Sequence, residues 1–397
     1  MLASRQSTVS SNHRDAWVEI DLEKIEQNAR TIKSWFTRPD TGLMAVVKSD
    51  GYGHGAVGVA AAAVGAGASR LGVATVDEGI ELRTSDRVTP ILILGPVPTG
   101  AVQTAVEHNL DLTITSQADL NAAKALARQV KLANQINRNI KLHLKVDTGM
   151  HRLGAAPDDV ETLVQQIISD PQLELISIFS HLAKADQLPF TEKQDQCFRA
   201  VLKRLSAKFP GLLKADGGKV LAHIASGDAA RHNPFTQHDL VRAGLNLYGL
   251  EARTVSDVVK PALSIRAKIN SLREIEAGET VGYNMTWTAQ SKSRIASVPL
   301  GYADGIDRGL SNRMEALLHG KRVKQVGLIS MDQMLFDVTA VPESALGDTL
   351  TLIGTDQDLS IQLADWANML DTITYELACR MRLRLPRIYM HGSVVQT

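Results

Sequence analysis

Residues 44–55, MAVVKSDGYGHG, place a single lysine, Lys48, between an apolar run and a glycine-rich loop. Partial removal from water favours the neutral amine of a lysine side chain. A neutral amine attacks carbonyl carbons, so the stretch suits an aldehyde cofactor, of which pyridoxal 5′-phosphate (PLP) is the obvious example. In that interpretation the glycines leave room for the cofactor ring and its phosphate. A surface lysine followed by a flexible turn explains these residues alone equally well.

Eight short runs rich in Val, Ile or Leu are predicted strands: LMAVVK, LGVAT, PILILG, DLTIT, KLHLKVD, LISIFSH, VLAHIAS and VRAGLNLYG. Segments of helical period, such as DLNAAKALARQVKLANQI, lie between them. Buried parallel strands that alternate with helices predict an α/β fold of the (β/α)8 TIM barrel type. A doubly wound open sheet is the alternative, but no GxGxxG follows the first strand. In a barrel Lys48 ends the first strand, at the mouth where active sites form.

After residue 260 the pattern changes to alternating polarity with Gly and Asp turns, which predicts a mainly antiparallel β domain. We therefore expect a PLP-binding barrel over residues 17–255 and a C-terminal β domain over residues 256–397. The N-terminal tail, residues 1–16, is expected to pack on the β domain.

Composition restricts the class of ligand. The 397 residues contain 43 Lys and Arg and 43 Asp and Glu, so no broad charge favours nucleic acid or membrane. The two cysteines, Cys197 and Cys379, are far apart, which is typical of a reduced protein without disulfides or a cysteine metal site. No signal peptide or membrane span is recognisable. We expect a cytoplasmic protein with a small-molecule amino-acid substrate and no metal.

The lysine stretch resembles the PLP-lysine signature of bacterial alanine racemases, AVVKSDGYGHG. The resemblance continues in order through KVDTGMHRLG, FSHLAKAD, RAGLNLYGL, VGYNMTW, PLGYADG, SMDQ and RLPRI, from about Trp17 to Arg387. It implies a homodimeric isomerase of barrel-plus-β-domain type that interconverts L- and D-alanine, the D form being a peptidoglycan component. Whether the role is biosynthetic or catabolic stays open.

The resemblance also implies site residues. Lys48 binds PLP covalently and is the base on one face of Cα, while Tyr283 from the other subunit is the base on the opposite face. Arg152 and His181 hold that tyrosine, and Arg242 faces the pyridine nitrogen with support from His223. The other implied cofactor contacts are Tyr52, Ser226, Gly227, Gly244 and Leu245, and the substrate contacts are Arg152, Met331, Asp332 and Tyr302. Lys145 matches a lysine often carried as a carbamate, which could pair with Arg152.

Several positions depart from the family pattern. Gly227 stands where a phosphate-binding serine is usual, so Ser226 or the Gly227 backbone would have to replace it. Leu383 replaces a tyrosine that contacts the phosphate and narrows the pocket, and Arg382 could supply a substitute contact. Ser330 replaces a cysteine. These departures predict weaker PLP retention and leave strict alanine selectivity open.

Three alternatives therefore accompany the alanine racemase interpretation. A racemase of broader specificity would accept serine or larger amino acids. A non-catalytic PLP-binding protein on the same barrel would lack the second domain. The third alternative is a related PLP decarboxylase with barrel and β domain, over which the two-base pair Lys48 and Tyr283 and the order of the motifs favour racemisation.

Overall fold

The structure is a computed structural model that describes residues 13–133, 139–251, 254, 256–381, 384–391 and 394–395. The chain divides into two compact units. We call the first the barrel unit, residues 26–51 and 59–247, and the second the β unit, residues 1–25, 52–58 and 248–397.

The barrel unit contains eight parallel strands. With β1 (Ala16–Asp21) assigned to the β unit, the barrel strands are β2 (Gly42–Val46), β3 (Arg70–Val73), β4 (Ile91–Pro96), β5 (Leu110–Ile114), β6 (Ile140–Lys145), β7 (Leu173–Phe179), β8 (Leu221–His223) and β9 (Leu240–Ala243). Their order is β8-β7-β6-β5-β4-β3-β2-β9. A backbone bridge between Ser226 and Arg242 joins the two end strands. The predicted (β/α)8 barrel and its eight strands are confirmed, although the last strand ends at Ala243.

Helices follow most of these strands. They are α1 (Leu22–Ser34), α2 (Ala56–Gly65), α3 (Val76–Arg83), α4 (Val102–Glu107), α5 (Gln117–Ala133), α6 (Val160–Ile168), α7 (Leu188–Lys208) and α8 (Gly227–His232). Helix α6 buries Val160, Leu163, Val164 and Ile167, the spacing of one apolar helical face. Helix α3 starts at a capping box in which the Thr75 side chain accepts the Glu78 N–H. Within the described residues, no helix has the length and hydropathy required to cross a membrane.

The β unit is a mainly antiparallel sheet, as predicted. Besides β1 it contains β10 (Leu263–Lys268), β11 (Ser271–Ile275), β12 (Ser293–Val298), β13 (Glu315–Leu318), β14 (Lys321–Val326), β15 (Met334–Asp337), β16 (Thr349–Asp356), β17 (Leu359–Ile361), β18 (Arg387–His391) and β19 (Val394–Val395). The order is β11-β12-β15-β14-β13-β16-β10-β1-β18-β19, with β17 paired to β16. Two short helices, α9 (Leu363–Met369) and α10 (Thr374–Cys379), complete it.

The boundary predicted at residue 17 differs from the structure. Strand β1, which includes Trp17, pairs antiparallel with β10 and parallel with β18. Its backbone hydrogen bonds are therefore satisfied in the β unit, and residues 52–58 and 248–255 also belong to that unit. Most of the predicted tail, residues 1–12, lies outside the described residues.

Candidate active site

Lys48 lies two residues beyond the end of β2 rather than within the strand. It opens a left-handed turn in which Ser49, Asp50 and Gly51 have φ values of 55°, 51° and 58°. Non-glycine residues adopt this conformation at a cost of roughly 1–2 kcal/mol each, so surrounding contacts must hold it. One such contact is the Ser49 N–H, which donates to Glu78 Oε1 at 2.7 Å. The turn redirects the chain directly after the lysine.

The glycines that follow have a structural role in the backbone, and the predicted role of leaving room for a ligand stays a prediction. Gly53 and Gly55 have φ values of 77° and 89°. A β-carbon at Gly53 would collide with the Ala378 carbonyl, and one at Gly55 would collide with the Tyr389 hydroxyl. These glycines are needed for backbone conformation and close packing inside the β unit.

Tyr52 belongs to the same unit, where its ring centroid lies 4.9 Å from that of Tyr248. Burial, reinforced by nearby Cys379 and Tyr375, raises the pKa of Tyr52 well above its ordinary value. The side chain is therefore a neutral phenol and a hydrogen-bond donor.

Arg242 on β9 is buried and has an extensive set of acceptors. Nη1–H donates to His223 Nδ1 at 2.6 Å, and Nη2 donates to Ser180 O, Ile224 O and His181 Nδ1 at 2.7, 3.0 and 3.0 Å. Burial lowers the pKa of Arg242 to about 10, so the guanidinium is still charged at neutral pH. Its Nε–H donates to no acceptor among the described residues, which leaves one donor for a ligand.

His223 and His181 are neutral neighbours of this guanidinium. Burial is the main cause that lowers the pKa of His223 well below its ordinary value, and burial with the charges of Arg242 and Arg152 lowers the pKa of His181 to about 3. Because an arginine only donates, Nδ1 of each ring accepts. Nε2 of each therefore carries the proton. In His181 this Nε2–H has no acceptor among the described residues.

Lys145 ends β6 and is buried close to other cations. Burial, followed by the charges of Arg242, Arg152 and Lys48, lowers the pKa of Lys145 to about 8. Its Nζ lies 5.5 Å from the centroid of the Phe179 ring, and the Arg242 guanidinium lies at the same distance from that ring. Roughly a tenth of the amine is thus expected to be neutral at pH 7, far more than for a lysine of ordinary pKa.

Arg152 is exposed, in the loop after β6. Asp147 shapes this loop, because its Oδ1 accepts the N–H groups of Gly149, Met150 and His151 at 2.9–3.1 Å. The sequence predicted Arg152 as a site residue. The role of Asp147 was not predicted, although Asp147 lies inside the same KVDTGMHRLG motif.

The loops after β8 and β9 contain the remaining predicted cofactor contacts of the barrel unit. Ser226 Oγ caps α8 by accepting the Ala229 N–H at 3.2 Å. A β-carbon at Gly227 would lie 2.6 Å from Asn246 Oδ1, so a serine there would require the Asn246 side chain to move. The backbone N–H groups of Gly244 and Leu245 donate to no acceptor among the described residues.

The second base and the substrate contacts that were predicted in the C-terminal loops of the β unit are exposed. Tyr283 is 72% exposed in a 3-10 turn, and Met331 and Tyr302 are 53% and 41% exposed. The Tyr302 N–H donates to Ser330 O at 3.0 Å, and the Ala303 N–H donates to Met331 O at 3.1 Å, so these two loops lie together.

Asp332 is held by an arginine that the sequence reasoning missed. Arg384 Nη2–H donates to Asp332 Oδ1 at 2.5 Å, and its Nε–H donates to the buried Asp304 at 2.7 Å. Arg14 also pairs with Asp304. Arg384 is the first residue of the RLPRI motif, which was the available signal. Arg382 and Leu383 lie outside the described residues, so their predicted effects stay predictions.

Ser330, which stands where the family usually has a cysteine, has a structural role in its own loop. Its hydroxyl donates to Gln333 O at 2.7 Å and accepts the Gln333 N–H at 3.2 Å. The hydroxyl therefore closes the SMDQ turn.

Comparisons with known proteins agree with this geometry. The family model for the N-terminal domain of alanine racemase matches residues 20–252, and the model for the C-terminal domain matches residues 262–389. An alanine racemase of Nostoc is 40% identical over 382 residues, covering 94% of this chain and 95% of that protein. One of Synechocystis is 39% identical, covering 94% and 98%.

Solved structures give the same result. Alanine racemase from Enterococcus, reported as E. faecalis, superposes with a TM-score of 0.86 at 34% identity, covering 95% of this chain and 99% of that one. The Bacillus anthracis enzyme with bound L-Ala-P has a TM-score of 0.85 at 32% identity and covers 97% of each chain. Barrel, β domain and motif order all agree, and the chain belongs to the alanine racemase family, whose members are PLP-dependent isomerases.

Proposed function

We propose that Lys48 and Tyr283 transfer protons on opposite faces of Cα and so interconvert L- and D-alanine with PLP as the cofactor. The observation that carries this proposal is the hydrogen bonding of the Arg242 guanidinium. A buried guanidinium keeps an Nε–H without an acceptor among the described residues, and it accepts no proton itself. Such a group suits an unprotonated pyridine nitrogen, whereas a carboxylate would favour a protonated one.

Other groups of the barrel unit fit the same cofactor. The N–H groups of Gly244 and Leu245, which have no acceptor in the described part of the chain, suit phosphate oxygens, and the Ser226 hydroxyl retains its hydrogen for donation. The assignment of Tyr52 to the phosphate stays a prediction, supported by its neutral phenol. When bound, PLP supplies an aldehyde for Lys48 and an electron-withdrawing ring that acidifies the Cα–H.

The chain's own residues supply the proton transfers. We assign Lys48 Nζ to remove or return the Cα proton on one face, and the Tyr283 oxygen of a second copy to do so on the other. The reference pKa of both side-chain types is about 10, so neighbouring cations are needed to favour the basic forms. The Nε2–H of His181 and the guanidinium of Arg152 are suitable donors to the tyrosine oxygen.

The assignment of Tyr283 requires a homodimer, which the exposed side chains of the β unit support. A tyrosine, two methionine side chains and a second tyrosine are all exposed on the β unit, namely Tyr283, Met285, Tyr302 and Met331. Exposed aromatic and methionine side chains are typical of interfaces. Asp332, fixed by Arg384, and Met331 are proposed to contact the substrate carboxylate in the partner's site. Cytoplasmic location stays a prediction from the sequence.

Lys145 is proposed to carry a carbamate. Its amine would react with CO2 and release one proton, which requires the neutral form that burial favours here. The product is an anion beside Arg152 and Arg242, and it would replace repulsion among cations by attraction.

The alternatives are less well supported. Matches to both family domains disfavour a PLP-binding protein without the second domain. The Ser330 hydroxyl is used within its own turn, so it gives no reason to expect altered selectivity. The broader-specificity prediction then depends on Leu383.

Exchange of the Cα hydrogen in D2O tests the two assigned bases. We expect Tyr283→Phe to lose exchange mainly from L-alanine, with exchange from D-alanine largely retained. Tyr389→Phe is the matched control, since it removes a phenol from β18 of the same unit, at a residue that has no assigned role in the site. Equal loss from both enantiomers, or none, would contradict the assignment.

A further inference from the structure

A chain of buried polar side chains extends from Arg242 into the barrel interior. Beyond His223, Nε2 of that ring lies 2.9 Å from Ser177 Oγ, and Ser177 Oγ lies 2.6 Å from His143 Nδ1. His143 Nε2 lies 3.2 Å from Asp111 Oδ2. All four side chains are at most 1% exposed. They come from four strands, β8, β7, β6 and β5, which are consecutive neighbours in the sheet.

The hydrogen bonds in this chain can point in only one direction. Arg242 must donate to His223 Nδ1, so His223 carries its proton on Nε2 and donates to Ser177. The Ser177 hydroxyl then donates to His143 Nδ1. His143 is left with its proton on Nε2, which donates to Asp111. The reverse direction would place two N–H groups against each other at His223.

The two ends of the chain carry opposite charges. Arg242 is a cation, and the acceptor at the other end is a carboxylate, with Arg70 Nη1 3.5 Å from the same oxygen. The other oxygen, Asp111 Oδ1, is buried and has no hydrogen-bond partner among the described residues. Buried charged groups require hydrogen bonds and opposite charges, and for Asp111 these come from the His143 N–H at the end of the chain and from Arg70.

We propose that Asp111, His143 and Ser177 are positioning residues for Arg242. Arg242 imposes the Nε2–H tautomer on His223, and Ser177, held by His143 and Asp111, supplies the acceptor for that Nε2–H. The ring is thereby held with Nδ1 directed at Nη1, and the guanidinium plane is held with its Nε–H available to the ligand. The consequence for catalysis rests on the proposed function of Arg242. The direction of the hydrogen bonds from Arg242 to Asp111 is independent of that function.

Nitrogen NMR of the protein labelled with 15N-histidine tests the direction without any assay of activity. His143→Gln and His223→Gln variants identify the two rings among the 11 histidines. We expect both rings to be neutral, with the proton on Nε2, and to stay so between about pH 6 and pH 9. A proton on Nδ1 of either ring, or titration of either ring in that range, would overturn the proposal.

Three variants test the effect on Arg242. Ser177→Ala should leave the His223 Nε2–H without its acceptor, and this should shift the resonance of that nitrogen and reduce kcat for alanine about ten-fold, with KM little changed, the effect of one net hydrogen bond. Ser177→Thr should restore the wild-type nitrogen spectrum. The matched control is Thr113→Val, since Thr113 is a buried residue of β5 whose hydroxyl donates to Ile93 O at 2.6 Å, outside the chain.

Equal kcat values for Ser177→Ala and Thr113→Val would refute the positioning role. If Ser177→Ala does not fold, the spectrum of the wild-type protein still decides the direction. A wild-type protein that does not racemise alanine would refute the proposed function alone, because the nitrogen spectrum is independent of it.

Discussion

The interior of the barrel and the exposed turns of the β unit hold their predicted site residues in opposite ways. Arg242 is buried and donates to four acceptors within 3.0 Å. Tyr283 is largely exposed and occupies a short turn in which Asn284 has a φ of 61°. One residue is fixed by its own chain, and the other presents its hydroxyl to solvent.

This difference indicates how the site is divided. In the barrel unit, hydrogen bonds position the guanidinium of Arg242 between the neutral rings of His181 and His223. The β unit presents Tyr283 and Met285 as exposed side chains of one short turn. We infer that the chemistry of one face of Cα belongs to one chain, and that the other face depends on assembly.

Lys48→Ala should have the largest effect. It removes the amine that binds PLP and one of the two bases, so we expect racemisation to fall by about 10⁴-fold or more in both directions. Chiral chromatography of alanine measures the rate. Lys184→Ala, at an exposed loop position, is the control, and borohydride reduction should label residue 48 only in the control. Activity retained in Lys48→Ala would refute the role of the lysine.

Arg242→Met should have the next largest effect, on stability. His223 Nδ1 and the carbonyls of Ser180 and Ile224 would lose their donor, so we expect a loss of about 3–5 kcal/mol in the free energy of unfolding by urea.

The control is Arg322→Met, which breaks an exposed pair with Glu315 and should cost about 1 kcal/mol or less. Similar losses in the two variants would mean that the buried hydrogen bonds of Arg242 do not stabilise the barrel.

Lys145→Met should have an effect that depends on pH. The folded-state pKa of Lys145, about 8, lies below its ordinary value of 10.5, so the unfolded chain binds more protons between these values. The penalty for the buried ammonium is therefore complete below pH 8 and disappears as the pH rises to about 10.5. In CO2-free buffer the variant should be more stable at pH 7 by roughly 1–3 kcal/mol, with a smaller advantage at pH 9.

Bicarbonate separates the ammonium from the carbamate. It should remove the advantage of Lys145→Met at pH 7 and add the mass of one CO2 to the wild-type chain. Lys141→Met, on the same strand, should show no dependence on pH or bicarbonate. An advantage that grows with pH would contradict the assigned shift.

Ser330→Ala should have the smallest effect. It removes the hydroxyl that closes a turn with Gln333, and we expect a loss of about 1 kcal/mol in stability. The ratio of rates on L-alanine and L-serine should change by less than about two-fold, because the hydroxyl is engaged within its own loop. A larger change would show that Ser330 contacts the substrate.

The sequence predicted those parts of the molecule that depend on local pattern. Continuous Val, Ile and Leu runs identified the eight barrel strands, and alternation identified the β unit. The pairing of β1 with β10 and β18 was not predicted, since it joins residues more than 240 positions apart and leaves no local signal.

In the site, too, the sequence predicted what depends on a contiguous motif and missed what depends on contacts between distant residues. Lys48 could be identified because its motif is contiguous, but the left-handed turn after it and the packing of Gly53 and Gly55 depend on distant residues. The chain from His223 to Asp111 was also missed. Its only local signal is a polar residue inside an apolar strand, as in His143 of KLHLKVD and Asp111 of DLTIT.

Mixed dimers test most directly whether one site is built from two chains. Lys48→Ala and Tyr283→Phe are each expected to be nearly inactive alone. Co-expressed in equal amounts, about half of the dimers should be mixed, and each mixed dimer has one site with both Lys48 and Tyr283 intact. We predict recovery of about one quarter of the wild-type activity. No recovery in dimers shown by mass spectrometry to be mixed would mean that both bases come from the same chain.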